Sequence, residues 1–307
     1  MGFLYQGVWT DESHFPTDDD GHYVRPDSVF RRRPEVPFVP EPGRNHLYLA
    51  HACPWCHRTA IVRQLKGLQQ AVDVSFVDPI MREGGWKFTD AAHSDPLFHS
   101  AFAHELYTRA DPTYTGRVTV PILWDKQLGT IVCNESRDIV RMFDEAGTGP
   151  TLRPPPALAE EHDALADRIY NTVNNGVYRA GFATTQQAYA TSYAALFETL
   201  DALAARLQDG RPHLMGDLLT EVDIFLFVTL VRFDAVYFGH FKCNRNRIED
   251  EPALQGFLER LWARPAFRET THLDEIQRHY YGSHQSLNPH GIVPCGPRLR
   301  ILGGEAP

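Results

Sequence analysis

The stretch that decides the fold is His51-Ala52-Cys53-Pro54-Trp55-Cys56-His57-Arg58, entered from the apolar residues Leu47, Tyr48 and Leu49. An apolar run, then a proline, then a helical spacing of Ala60, Ile61, Val62, Leu65 and Leu68 reads as strand, turn and amphipathic helix. Cys53 then stands at or beside the N-cap, and Pro54 fills the first helical position, where a missing N–H costs nothing. A thiol in that place meets unpaired N–H groups and the positive end of the helix dipole, both of which favour thiolate. Such settings lower a cysteine pKa from about 8.5 to about 3.5–7.5. Half-ionisation at neutral pH requires a shift of about 1.5 units, roughly 2 kcal/mol, whereas a helix terminus supplies about 0.3–1 kcal/mol. A hydroxyl or cation from elsewhere in the fold has to contribute the rest.

Two cysteines that only pack at a helix start are the alternative reading, since free Cys is commonly buried and inert. Strand, Cys-x-x-Cys and helix in this order favour a thioredoxin-like redox motif. Cys53-x-x-Cys56-His57 also matches the pattern for covalent haem attachment, but no export signal accompanies it. Zinc binding by His51, Cys53, Cys56 and His57, with His240-x-x-Cys243, is disfavoured by Pro54-Trp55 and by the spacing of the second pair, so no metal is assigned.

The chain has 307 residues, 43% of them apolar, enough for two domains with their own cores. A net charge of −9 argues against nucleic acid or an anionic membrane as partner. The longest apolar run, Ile224 to Val231, is closed by Asp223 and Arg232 and is too short to span a bilayer. Arg31-Arg32-Arg33 is followed by Pro34 and not by an apolar segment, so no secretion signal is read. Five irregularly spaced cysteines do not make a disulfide framework. A cytoplasmic protein is the expectation.

Residues 1–42, rich in Pro, Asp and Arg with scattered aromatics such as Phe15 and Phe30, read as an extension that docks in part. Residues 43–146 read as a small α/β domain: strand, helix to about Leu68, strand Val72 to Val77, a long irregular segment from Pro79 to Arg117, strands Val118 to Leu123 and Thr130 to Val132, and a helix from Ser136 to Phe143. Residues 147–156, with Pro154-Pro155-Pro156, form the linker. Residues 157–281 read as all-helical and residues 282–307 as an irregular tail. Within the helical part, Thr220-Glu221-Val222-Asp223 is a capping box with a purely structural role. Asn174-Asn175-Gly176 breaks or kinks a helix.

Three further groups carry chemistry. Pro121 after Val120 is either a cis turn that presents the Val120 main chain to a peptide ligand or a strand-edge proline. Asn134-Glu135-Ser136, at a strand-to-helix passage, either holds a ligand's carboxylate and amine or is capped in the ordinary way by Ser136. Tyr178, Tyr237, Tyr280 and Tyr281 supply phenols that can donate a proton or support a thiolate, although most tyrosines only pack.

With the thiol helix, Val120-Pro121, Glu135-Ser136 and an all-α second domain, the chain resembles a glutathione transferase. Gly85-Trp86, Gly116-Arg117-Val118-Thr119-Val120-Pro121, the run from Asn174 to Gln186, Val231-Arg232-Phe233-Asp234, His279-Tyr280-Tyr281 and Asn288-Pro289 narrow the resemblance to the glutathionyl-hydroquinone reductases, the Xi class. The resemblance implies a thioredoxin-like domain followed by a helical substrate and dimerisation domain, homodimerisation, and glutathione-dependent reduction of glutathionyl-hydroquinones in quinone metabolism. It implies Cys53 as nucleophile and Tyr178 as proton donor, with Tyr237 and Tyr280 as hydroxyls near thiol and substrate. Glutathione contacts carry over to Trp86, Arg117, Val118, Thr119, Val120, Glu135 and Ser136. The family reaction needs one thiol, so Cys56 is read as incidental. The alternatives are a dithiol, glutaredoxin-like oxidoreductase using Cys53 and Cys56, and a catalytically silent binding protein of the same fold.

Overall fold

The computed structural model describes residues 2–11, 17–24, 27–32 and 38–303. Phe15, Arg33 and Pro34 lie outside the described residues. The chain divides into two compact units. Residues 2–11, 27–32 and 38–149 belong to the first, and 17–24 and 150–303 to the second.

The first unit is built on a four-stranded sheet of β3 (Asn45–Leu49), β4 (Val72–Phe76), β6 (Ile122–Asp125) and β7 (Thr130–Cys133), in the order β4-β3-β6-β7. β3 pairs parallel with β4, so a helical crossover has to join them, and antiparallel with β6. As an inner strand, β3 is buried along its whole length, which is why Leu47-Tyr48-Leu49 is continuously apolar rather than alternating.

The crossover is α1 (Pro54–Leu65), which packs on α3 (Ser136–Ala146). The helix stops three residues before the expected Leu68, because Gly67 takes a left-handed φ of +66°. The Leu68 N–H then bonds the Arg63 carbonyl at 3.0 Å and the Gly67 N–H bonds Gln64 at 3.2 Å, the two bonds of a Schellman stop. Burial reaches beyond the apolar stripe: His57, Arg58 and Thr59 are buried too, and the Arg58 guanidinium lies 4.4 Å from the centre of the Trp55 ring.

Two expectations for this unit change. The segment read as irregular from Pro79 to Arg117 contains α2 (Ala103–Ala110), with Ala103, Leu106 and Tyr107 buried on one face. Glu105 reaches back to accept the N–H groups of Ala101 at 3.0 Å and Phe102 at 2.9 Å, which fixes the helix start. Val118, Thr119 and Val120 are not part of the strand, which begins at Ile122, after Pro121, a residue with no N–H to give a ladder. The short strand β5 (Gly116–Arg117) instead pairs with β1 (Phe3–Tyr5), itself paired with β2 (Val8–Thr10). The beginning of the chain is thus a hairpin that completes a second, three-stranded sheet.

The second unit is helical. It contains α4 (Ala159–Arg168), α5 (Gly176–Gly181), α6 (Gln186–Leu207), α7 (Glu221–Arg232), α8 (Phe238–His240), α9 (Pro252–Trp262), α10 (Pro265–Arg268) and α11 (Leu273–Ser283). The Thr220–Asp223 capping box is present at the start of α7: the Thr220 N–H donates to Asp223 at 2.8 Å, and the same carboxylate accepts Leu214 N–H at 2.7 Å. Burial raises the Asp223 pKa to about 6. The chain does not break at Asn174-Asn175. It widens into a π-helix over Ile169–Asn174, with the Asn175 N–H bonded to the Tyr170 carbonyl at 2.9 Å, and again over Phe233–Tyr237. Residues 17–24 dock here, through Thr184 N–H on the Gly21 carbonyl at 3.2 Å and Tyr23 against Phe182. Among the described residues no helix is long and apolar enough to cross a membrane.

Candidate functional site

Cys53 is the N-cap of α1, with φ −76° and ψ 121°, and its sulfur accepts the Cys56 N–H at 3.5 Å. The sequence chooses this geometry because Pro54 has a fixed φ suited to the first helical position and no N–H to leave unpaired. Cys53 as a whole is 8% exposed, its thiol donates to the Val120 carbonyl at 3.6 Å, and the Val120–Pro121 bond is cis. Cys56 is 1% exposed and its sulfur accepts the Ala50 N–H at 3.4 Å, so it ties the end of the strand region to the helix. The other thiols differ: burial pushes Cys133 up to about 12 and raises Cys243, while Cys295 is exposed. Cys53 is buried too, though less completely than Cys56, Cys133 or Cys243, and it differs from them in holding a donor N–H at a helix start.

The residues assigned to glutathione by resemblance fall on the same unit. Trp86 is largely buried, and its carbonyl accepts the Ala103 N–H at 2.9 Å, anchoring it to the start of α2. Gly85, with φ +77°, allows the turn before it; any Cβ there would meet the Trp9 ring at 2.8 Å. Arg117 lies in β5, where its carbonyl accepts the Tyr114 hydroxyl at 2.9 Å. Val118 and Val120 are buried and Thr119 half-buried. At the other turn, the cap of α3 is Glu135 rather than Ser136: its carboxylate accepts the Arg137 N–H at 3.2 Å and the Ser28 hydroxyl at 2.9 Å. Ser136 is buried directly behind it. Arg31 and Arg32 hold the neighbouring chain segment to Asp138 and Glu145, and Phe30 accepts the Asn134 N–H at 2.8 Å. Nothing local in the sequence marked Ser28 or the arginines as neighbours of this turn.

In the second unit three of the tyrosines form one chain of hydroxyls. Tyr280, fully buried, is hydrogen-bonded to Tyr178 on one side and to Tyr237 at 2.9 Å on the other. Burial and its two phenol neighbours hold Tyr280 well above the ordinary tyrosine range, so it acts as a neutral hydroxyl. Tyr178 keeps partial exposure, which makes it the member able to meet a ligand. Phe241 packs edge-on to Tyr178 and flat on Tyr237, and the π-helical segments set the angular positions of Tyr178 and Tyr237. Tyr281 stands apart, its hydroxyl on the Ala235 carbonyl at 3.5 Å. His240 and His284, bonded at 3.1 Å beside Phe241, were not legible as part of this cluster, because their proximity depends on α8 meeting the end of α11.

One group among the described residues, His162, Asp163 and Glu221, brings potential metal ligands within 4.8 Å. The Arg153 guanidinium already bonds both carboxylates, at 3.1 and 2.9 Å, and supplies the positive charge there.

Known families match both units. Residues 52–146 match the glutathione S-transferase N-terminal domain and residues 186–263 the C-terminal domain. The chain is 48% identical to glutathionyl-hydroquinone reductase PcpF of Sphingobium chlorophenolicum, over 99% of this chain and 98% of the relative. It belongs to the Xi-class glutathione transferases, the family of the glutathionyl-hydroquinone reductases. Among solved structures, the Xi-class transferase of Natrialba magadii superposes with a TM-score of 0.90 at 44% identity, covering 100% of this chain and 96% of that one. The glutathione-bound structure of YqjG from Escherichia coli K-12 gives 0.86 at 44% identity, covering 98% and 97%. The architecture of this Xi-class transferase is accordingly a thioredoxin-like α/β domain followed by an all-α domain, the glutathione transferase fold.

Proposed function

We propose that this enzyme reduces glutathionyl-hydroquinones to hydroquinones at the expense of glutathione. The observation that carries the reading is Cys53 at the N-cap of α1, its sulfur on the Cys56 N–H and beside the Val120 carbonyl. The Cys53 thiolate attacks the glutathione sulfur of the thioether, and a Cys53–glutathione disulfide forms. The carbon–sulfur bond breaks with its electron pair on the ring carbon, which takes up a proton to give the hydroquinone. A second glutathione, as thiolate, attacks the mixed disulfide, releases glutathione disulfide and restores Cys53. Two glutathione units are oxidised and the aromatic ring is reduced by two electrons.

Tyr178 is the proton donor in this scheme, a role supported by its partial exposure and its bond to Tyr280. Tyr237 and Tyr280 maintain its orientation. Trp86, Arg117 to Val120, Glu135 and Ser136 bind glutathione, with residues 43–146 as the glutathione domain and residues 157–281 as the substrate and dimerisation domain. No metal has a role, and the working form is a cytoplasmic homodimer.

Purified protein, glutathione and a glutathionyl-hydroquinone test the scheme by hydroquinone release. Cys53→Ser is expected to abolish turnover and Cys56→Ser to retain it. Undiminished turnover in Cys53→Ser sinks the mechanism, and loss of turnover in Cys56→Ser alone transfers the reaction to a dithiol pair.

A further inference from the structure

The two segments proposed to hold glutathione are separated in sequence, the Thr119–Val120 edge before Pro121 and the Asn134–Ser136 turn after β7. One hydroxyl joins them. The Tyr107 phenol, on the inner face of α2, donates to the Thr119 carbonyl at 2.7 Å and accepts the Thr119 N–H at 3.2 Å. Its remaining lone pair accepts the Asn134 side-chain amide at 2.9 Å. A phenol has one hydrogen and two lone pairs, so these three bonds use all of them, and the Thr119 hydroxyl stands beside it as a longer contact at 3.4 Å.

We propose that Tyr107 is a positioning residue for glutathione, its hydroxyl setting the distance between the main-chain edge at Thr119–Val120 and the turn bearing Glu135 and Ser136. The inference rests on the reading of those residues as the glutathione site. Val120 follows Thr119 directly and carries the carbonyl at the Cys53 thiol; Glu135 follows Asn134 directly and caps α3. A tripeptide ligand that pairs its backbone at one segment and its terminal charged groups at the other is sensitive to their separation, because rigid preorganisation is what keeps the ordering cost of binding low.

The ring itself is fully buried, with Phe30 packed edge-on at 5.8 Å and Tyr114 at 5.0 Å. Phenylalanine preserves that packing, so Tyr107→Phe isolates the hydroxyl. It leaves the Thr119 N–H and the Asn134 amide with one acceptor fewer in a dry place, and both segments relax.

The test measures KM for glutathione and kcat in hydroquinone release, together with calorimetric binding of S-methylglutathione, for wild type, Tyr107→Phe, Asn134→Ala and Ser136→Ala. Tyr107→Phe is expected to raise the glutathione KM and the S-methylglutathione Kd about tenfold with kcat at saturation nearly unchanged. A purely structural role would instead lower the active fraction, and so kcat, at constant KM. Asn134→Ala, which removes only one arm, gives a smaller shift in the same direction and serves if Tyr107→Phe does not fold. Wild-type affinity in Tyr107→Phe while Ser136→Ala binds weakly overturns the proposal and leaves the glutathione site standing. Wild-type affinity in both variants overturns the site assignment along with it.

Discussion

The side-chain amide of Asn174 donates to the Phe225 carbonyl at 2.7 Å, and the same nitrogen reaches the Thr229 hydroxyl at 2.7 Å. A π-helical turn ends at Asn174, and α7 lies across from it. The bonds pin the widened helix to a partner four residues before Tyr178, so the phenol's position depends on them. Asn174→Leu removes the added donor from the Phe225 carbonyl and the Thr229 hydroxyl in a buried place and is expected to cost about 1–2 kcal/mol of stability. In the fraction that remains folded, kcat for hydroquinone release should fall while the glutathione KM stays at its wild-type value. Denaturant unfolding and steady-state kinetics on the same preparation check both; unchanged kcat would separate the π-turn from catalysis.

The three linked tyrosines predict a graded series. Tyr178 is the member with partial exposure, Tyr280 bonds it directly, and Tyr237 is one bond further away. Replacing Tyr178 with Phe removes the proposed proton donor, for which a kcat loss of about a hundredfold is expected from the usual weight of general acid catalysis. Tyr280→Phe leaves the donor without its partner and should cost about tenfold, with Tyr237→Phe the mildest of the three. Hydroquinone release by each single variant reads the order, and a larger loss in Tyr237→Phe than in Tyr178→Phe would remove Tyr178 from the donor role.

The thiol turn was legible because its determinants are local: an apolar strand, Cys53 as cap and Pro54 at the first helical position lie within about ten residues, whereas the stop imposed by Gly67 ends the helix three residues before the expected Leu68. The Thr220–Asp223 box was legible for the same reason. Helix α2 was missed because it is only eight residues long and stands among Gly84, Gly85, Pro96 and Pro112. Yet Ala103, Leu106 and Tyr107 at helical spacing, with Glu105 to bond the preceding N–H groups, carry its signal. The identity of the cap on α3 turned on Ser28, more than one hundred residues away. The tyrosine chain likewise needs α5, α11 and the π-turn after α7 packed together, which no window of sequence expresses.

Acid should destabilise the first unit through His46. Its Nε2 is hydrogen-bonded to the Ser75 hydroxyl at 2.9 Å between β3 and β4, and burial lowers its pKa from 6.5 to about 4. The unfolded chain therefore takes up a proton as pH falls below 6.5 while the folded chain does not, so stability drops until pH reaches about 4. Between pH 6.5 and 5 this group accounts for about 2 kcal/mol. His46→Gln should show a shallower fall in unfolding free energy between pH 7 and pH 5 than wild type. Equal slopes would assign the acid sensitivity to other groups, such as His240, also lowered to about 4 by burial.

A buried ion pair at the end of α1 gives the sharpest test of stability. Lys66 Nζ lies 3.1 Å from Asp144 of α3, with the side chains 2% and 5% exposed, and donates to the Gly149 carbonyl at 3.3 Å. Removing one charge from such a pair strands the other where water does not reach, a loss of about 3–5 kcal/mol. Removing both replaces the pair by apolar packing, which is often neutral. Asp144→Leu is therefore expected to lower the unfolding free energy by about 3 kcal/mol, and Lys66→Met in the same chain to restore most of it. The restoration reads as a coupling energy in a double-mutant cycle by chemical denaturation. Additive losses would mean that each side chain is satisfied independently, Lys66 by the Gly149 and neighbouring carbonyls and Asp144 by other donors, and that the pair does not join α1 to α3.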